Sequence, residues 1–253
     1  MNQNGYIQSK IENGIARIEF GHPMSNSLPS HILTGLANEI IAVGNNNEAK
    51  VIILQSAGEK TFCAGASFDE LIAISTKEEG LAFFSGFAKV INAIRTIDKL
   101  VIGRVQGKAV GGGVGLASAC DYTFAVNTAS IKLSELAVGI GPFVVGPAVE
   151  RKMGVSAFSQ LAIDASSWRD AAFAKQHGLY AQTFETIIEM NEAISVLANT
   201  LANSNPEAML DLKKIFWEGT ENWDTLLQER AMISGRLVLS DFTRNAINSF
   251  KGK

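Results

Sequence analysis

Cysteine is nearly absent: Cys63 and Cys120 are the only two in 253 residues. Both stand among apolar neighbours, which reads as two buried free thiols rather than a disulfide framework or an activated nucleophile. Histidine is scarce as well. His22, His31 and His177 are far apart and show no Cys-x-x-Cys or His-x-x-x-His spacing, so no metal site is expected. Positive charge is not concentrated anywhere: 22 Lys and Arg are mixed with 25 Asp and Glu, for a formal net charge of −3. That balance excludes a basic face for nucleic acid or an anionic membrane, and neither is expected as a partner. No apolar run reaches membrane-spanning length before Gly, Pro or a charge interrupts it. The polar start, MNQNGYIQSK, has no apolar centre of the secretory kind. A soluble, cytoplasmic protein is the expectation.

What is present is a globular composition, 47% apolar and 19% charged. The length suits one large domain, or one domain with a modest extension. YIQSKIENGIARIEF alternates around Asn13-Gly14, a hairpin signal. SLPSHILTGLANEIIAVGNNN has helical spacing at Leu33, Leu36, Ile40 and Ile41 and stops in Gly and Asn. VIILQSA reads as a buried strand, Glu78 to about Arg95 as a helix, and LVIGRVQG and YTFAV as further strands. Strands and helices alternate, which argues for an α/β class. From about Ser156 onward helices dominate, as expected of a helical extension packed on an α/β core.

Two small-residue kinks carry the chemistry. GKAVGGGVGLA, residues 107–117, fails as a phosphate loop because Ala109 follows Gly107-Lys108 where a hydroxyl is needed. It fails as a dinucleotide fingerprint because Gly111 and Gly113 are followed by Leu116 at the third glycine position. Close packing of helix on strand is one remaining use. Another is to let free N–H groups at a helix start approach a ligand oxygen. CAGA, residues 63–66, is a second such kink, ahead of Ser67, Asp69 and Glu70, which look like the first turn of a helix. Two donors from separate loops suit an oxyanion.

These segments resemble those of the crotonase superfamily, the enoyl-CoA hydratase/isomerase fold. HPMSNSLPSHIL is similar to its P-x-x-x-N-A/S-L segment, one residue short between Pro23 and Asn26. TFCAGASFDEL resembles its A-G-A loop, and RVQGKAVGGGVGLASACDYTFA its strand–loop–helix; FAKQHGL and NPEAMLDLKK resemble later helical parts. The resemblance implies a spiral of β-β-α turns over residues 1–195 and a C-terminal helical trimerisation region over 196–253. It implies an acyl-CoA thioester substrate, no cofactor (coenzyme A being part of the substrate), and a homotrimer or a dimer of trimers. By the same resemblance the N–H groups of Ala66 and Gly112 form an oxyanion hole, and Asn26, Leu28, Ala64, Ser67, Phe68 and Gly111 lie along the substrate.

The departures are informative. Hydratases of the family hold water between two glutamates. Here the first position is Gly115, and only the second, Glu135, is a carboxylate. Ser67 replaces an Asp, and Phe143 follows Pro142 where a Gly is usual, adding bulk to the expected pocket wall. Glu135 stands among Leu133, Leu136, Ala137, Val138 and Ile140; burial there raises a carboxylate pKa toward the working pH, as a general base requires. One carboxylate suffices to shift a double bond, so isomerisation is expected over hydration. Hydration or decarboxylation of an enoyl or branched glutaconyl-type thioester, and a non-catalytic CoA-thioester-binding protein, are the alternatives.

Overall fold

The computed structural model describes residues 4–251. The chain opens with a hairpin, β1 (Tyr6–Glu12) and β2 (Ile15–Gly21). Asn13 and Gly14 turn it with φ of 52° and 80°, the pair of positive φ values that a two-residue hairpin turn needs. Helix α1 (Ser30–Gly44) follows, then β3 (Val51–Ser56), β4 (Thr61–Cys63), the short α2 (Phe68–Ala73) and the long α3 (Lys77–Thr96). Thr76 and Glu79 form a reciprocal capping box that fixes where α3 begins. Next come β5 (Leu100–Val105), β6 (Lys108–Val110), α4 (Gly112–Ala119), β7 (Tyr122–Val126), β8 (Ser130–Lys132) and a single 3-10 turn, Glu135–Val138. The remainder is α5 (Gly146–Ile163, bent at Gly154), β9 (Arg169–Asp170), α6 (Ala171–Gln176), β10 (Gln182–Phe184), α7 (Ile187–Ala202), α8 (Pro206–Phe216), α9 (Trp223–Leu237) and α10 (Asp241–Lys251).

Two sheets result. One has six strands in the order β1-β2-β3-β5-β7-β10, parallel except for the hairpin; the other has four, β4-β6-β8-β9, parallel except for β8 with β9. Each of the pairs β3/β4, β5/β6 and β7/β8 gives its first strand to the large sheet and its second to the small one before a helix returns the chain. This is the expected β-β-α spiral, and it stacks the ends of β4, β6 and β8 beside one another. Val51, Ile52, Ile53 and Leu54 are all buried because α-helices cover both faces of the parallel strands.

The expected division at 195/196 falls inside α7. That helix packs on β2, β3, β5, β7 and β10 and so belongs to the sheet's cover. The helices after it are joined to the core at specific places. α9 crosses α3 where Gly80 meets Gly235, a backbone approach that admits no side chain on either helix. Trp217 and Trp223 pack edge to face with ring centroids 5.7 Å apart.

Candidate active site

The site is assembled where β4, β6 and β8 end. After Cys63 the chain turns at Gly65 (φ 92°), and Leu28 N–H donates to the Gly65 carbonyl at 2.8 Å, which lays residues 26–28 beside Ala66 as a single parallel bridge. Ser67 then caps α2, its Oγ accepting from Glu70 N–H at 3.3 Å. After Val110 the chain turns at Gly111 and enters α4 at Gly112. The two loops touch: a side-chain carbon built on Gly65 lies only 3.7 Å from Gly112 N. The N–H groups of Ala66 and Gly112 donate to no acceptor among the described residues, so both are available to a ligand oxygen.

Glu135 starts the 3-10 turn that follows β8. Its carboxylate lies against the Gly111 loop: a Cβ on Gly111 would be 2.8 Å from Glu135 Oε1. With φ of 51° as well, this position requires glycine for both backbone and space. Glu135 Oε2 is shut off from solvent and has no hydrogen-bond partner among the described residues. Burial accordingly pushes the Glu135 pKa up to about 7, opposed only by a hydrogen bond from its own backbone. An unpartnered buried oxygen on a titratable group is costly, and such groups gather at functional sites.

Around these groups lies a cavity of about 430 Å³. Ala64, Ala66, Phe68, Gly111, Gly112, Glu135 and Phe143 all line it, so the structure brings seven of the ten expected residues together. Asn26, Leu28 and Ser67 are not in its wall. Asn26 (φ 55°) is a buried staple, its Nδ2 donating to the carbonyls of Ala57 (2.8 Å) and Thr61 (2.9 Å) and its Oδ1 accepting from His22 N–H (3.0 Å). Leu28 is fully buried in the core, and Ser67 is a helix cap. Leu28 holds the Ala66 loop through its backbone, while Asn26 and Ser67 brace its surroundings through their side chains.

Several wall residues are not evident from sequence motifs. Phe83, Phe84 and Phe87 come from α3, Val144 and Val145 from the approach to α5, and Ser234 from α9. Helical spacing identifies α3 but not which of its faces meets a cavity. Among the described residues, Glu135 and Lys132 are the only ionisable side chains in the wall. At Gly115, a Cβ would stand 2.5 Å from Val145 Cγ1 and 2.7 Å from Val145 Cβ. The place where a side chain at 115 would begin is therefore filled by valine. The two thiols play no part: Cys63 and Cys120 are free and buried, and burial pushes each pKa up to about 12. Among the described residues no cluster of His, Cys, Asp and Glu could hold a metal ion, and no helix is long and apolar enough to cross a membrane.

Comparison with known proteins agrees with this geometry. The family described as Enoyl-CoA hydratase/isomerase matches residues 10–251. The chain is 30% identical to the short-chain-enoyl-CoA hydratase of Clostridium acetobutylicum over 99% of its own length and 95% of the relative's. It is 25% identical to the peroxisomal Delta(3,5)-Delta(2,4)-dienoyl-CoA isomerase of Arabidopsis thaliana, over 96% and 92% of the two chains. In structure it is similar to an enoyl-CoA hydratase from Bacillus halodurans, with a TM-score of 0.89 and 21% identity over 96% of this chain and 99% of the other.

Proposed function

The chain belongs to the enoyl-CoA hydratase/isomerase family and is an enzyme of it, and on that premise we propose that it shifts the double bond of an acyl-CoA thioester from the β,γ to the α,β position. The thioester oxygen accepts from the N–H groups of Ala66 and Gly112. Glu135 removes a proton from the α-carbon, the electrons pass to the thioester oxygen, and a dienolate forms. The same carboxyl group then returns that proton to the γ-carbon as the carbonyl re-forms. Nothing is gained or lost by the acyl chain. Each donor of such a hole is worth ~3 kcal/mol at the transition state. A base with a pKa of about 7 is matched to neutral operating conditions.

The observation that carries the reading is the single carboxylate. Water addition ordinarily uses a second group to hold and activate the water. Val145 occupies the space at Gly115, Phe143 adds apolar bulk, and no second carboxylate stands in the described wall. Ala64 and Phe68 flank the thioester, while Asn26, Leu28 and Ser67 support the ledge along which coenzyme A lies. No cofactor is called for, coenzyme A entering as part of the substrate. A homotrimer or dimer of trimers acting in the cytoplasm completes the proposal.

Hydration is the second reading. It is favoured by the full-length similarity to the clostridial protein, whose name is that of a hydratase. A panel of β,γ- and α,β-enoyl-CoA thioesters decides between them. Isomerisation predicts that conjugated-enoyl absorbance grows from the β,γ series faster than it decays from the α,β series. The reverse order would assign hydration. Tight binding without turnover of any ester would assign a non-catalytic thioester-binding protein.

A further inference from the structure

Outside the acyl cavity, charge is concentrated where α4, α5 and α8 meet. A second cavity of about 220 Å³ opens there beside Asp121, Arg151, Lys152 and Trp217. Its one carboxylate is already fully engaged. Asp121 Oδ2 accepts from Lys213 Nζ at 2.6 Å and from Val101 N–H at 2.7 Å, and Oδ1 accepts from Trp217 Nε1 at 2.9 Å. The Asp121–Lys213 pair is buried, with 5% and 3% of the two side chains exposed. Lys152 Nζ reaches no carboxylate among the described residues; it donates to the carbonyls of Cys120 (2.8 Å) and Asp121 (2.9 Å) just past the end of α4. A helix C-terminus offsets only about half a charge. The Arg151 guanidinium lies 4.4 Å from the centroid of the Trp217 ring and forms no ion pair among the described residues.

The charges around this cavity do not balance. Asp121 is matched by Lys213, and among the described residues only the C-terminal ends of α4 and α8 face the two remaining cations, Arg151 and Lys152. Burial lowers the pKa of Lys152 and of Lys213, and Arg151 lowers both further. Arg151 is exposed and solvated, whereas the Lys152 charge is met only by carbonyl oxygens, and an anion in the cavity would offset it. We infer that this cavity binds a small phosphate-type oxyanion, held by Arg151 against Trp217 and by Lys152. The planar guanidinium offers a fork of donors that matches a tetrahedral oxyanion, and stacking on the indole presets its orientation. The cavity, about 220 Å³, has room for such an ion. None of these residues lines the acyl cavity, so the site stands apart from the thioester chemistry.

Thermal melting in rising inorganic phosphate, with ionic strength held constant by sodium chloride, tests this. Preferential binding to the folded state predicts a Tm that rises with phosphate and, above the dissociation constant, climbs with its logarithm. Arg151→Gln, at an exposed position, should abolish this rise and keep wild-type turnover of enoyl-CoA esters. A parallel arm with a nucleoside monophosphate identifies the source of the phosphate: a larger rise points to a phosphate carried on a bigger ligand, and an equal or smaller one to the free ion. Should Arg151→Gln not fold, broadening of the phosphorus NMR line of phosphate by wild type, relieved by sulfate, supports the site. A wild type with no rise beyond the sodium chloride control and no broadening overturns the proposal. So does an identical response from wild type and Arg151→Gln.

Discussion

At the scale of single residues, the account rests on Glu135 and the glycine that gives it room. Glu135→Gln keeps the shape and removes the base, so kcat should fall by orders of magnitude while KM changes little. The same substitution has a stability signature of definite sign. The folded-state pKa, about 7, lies above the ordinary carboxylate value. Below that ordinary value both states are protonated and the group is neutral to stability. As pH rises from there through about 7, the unfolded chain ionises first, so the wild type loses stability that the Gln variant keeps. Differential melting should therefore find Glu135→Gln more stable at pH 8 and the gap closing toward pH 4.5. Equal melting at all pH values would mean that the carboxylate is solvated. Activity follows the opposite limb: kcat/KM of the wild type should fall as pH drops below about 7, because the base becomes protonated. Ala66 acts through its N–H. Ala66→Ser should be mild, and Ala66→Pro, which removes the donor, should abolish turnover in a protein that still melts cooperatively.

At the scale of elements, the junction of α4 with the approach to α5 decides how many carboxylates the cavity can hold. Gly115 on α4 faces Val145, and a Cβ there would overlap valine's own Cβ and Cγ1. Gly115→Glu alone should destabilise by about 1–3 kcal/mol, as overpacked cores do, and gain no hydration. Combined with Val145→Gly, the glutamate has space at the cavity wall, and hydration of a short α,β-enoyl-CoA should rise above the wild-type level. Denaturant melts and product analysis of the single and double variants check both halves. A single variant that is stable and hydrates efficiently would show that Val145 does not gate the position. α2 is tied in by a contact that no local pattern announces. Glu70, expected only as a first-turn acid, accepts from Ser30 N–H (2.9 Å) and Ser30 Oγ (2.6 Å), so it caps α1 across 40 residues of chain.

At the scale of the whole molecule, the alternation of strands and helices and the order of the motifs were legible, because each repeat of the spiral carries its own apolar periodicity and its own small-residue kink. The hairpin at Asn13-Gly14 and the helix start at Gly112 could be read locally for the same reason. The roles of Asn26 and Leu28 as supports rather than cavity wall could not, since each depends on a partner far along the chain, whereas the cap that Ser67 makes with Glu70 is local. The cut at 195/196 failed to respect α7 because a change in composition does not reveal which sheet a helix covers. The helical tail is bound to the core along α3 and through the buried Asp121–Lys213 pair, and the pair is testable. Lys213→Met leaves Asp121 buried without its cation and should cost about 3–5 kcal/mol, read as a lowered Tm, with the activity of the surviving folded protein retained.

The central claim is that one carboxylate and two backbone donors move a proton and add no water. Incubation of the wild type with a β,γ-enoyl-CoA ester in heavy-oxygen water, followed by mass analysis of the acyl product, tests it directly. The account predicts a conjugated product of unchanged mass, formed before any labelled water enters the chain. A product that carries the heavy oxygen from the earliest time points, at a rate equal to or above that of isomerisation, would contradict it.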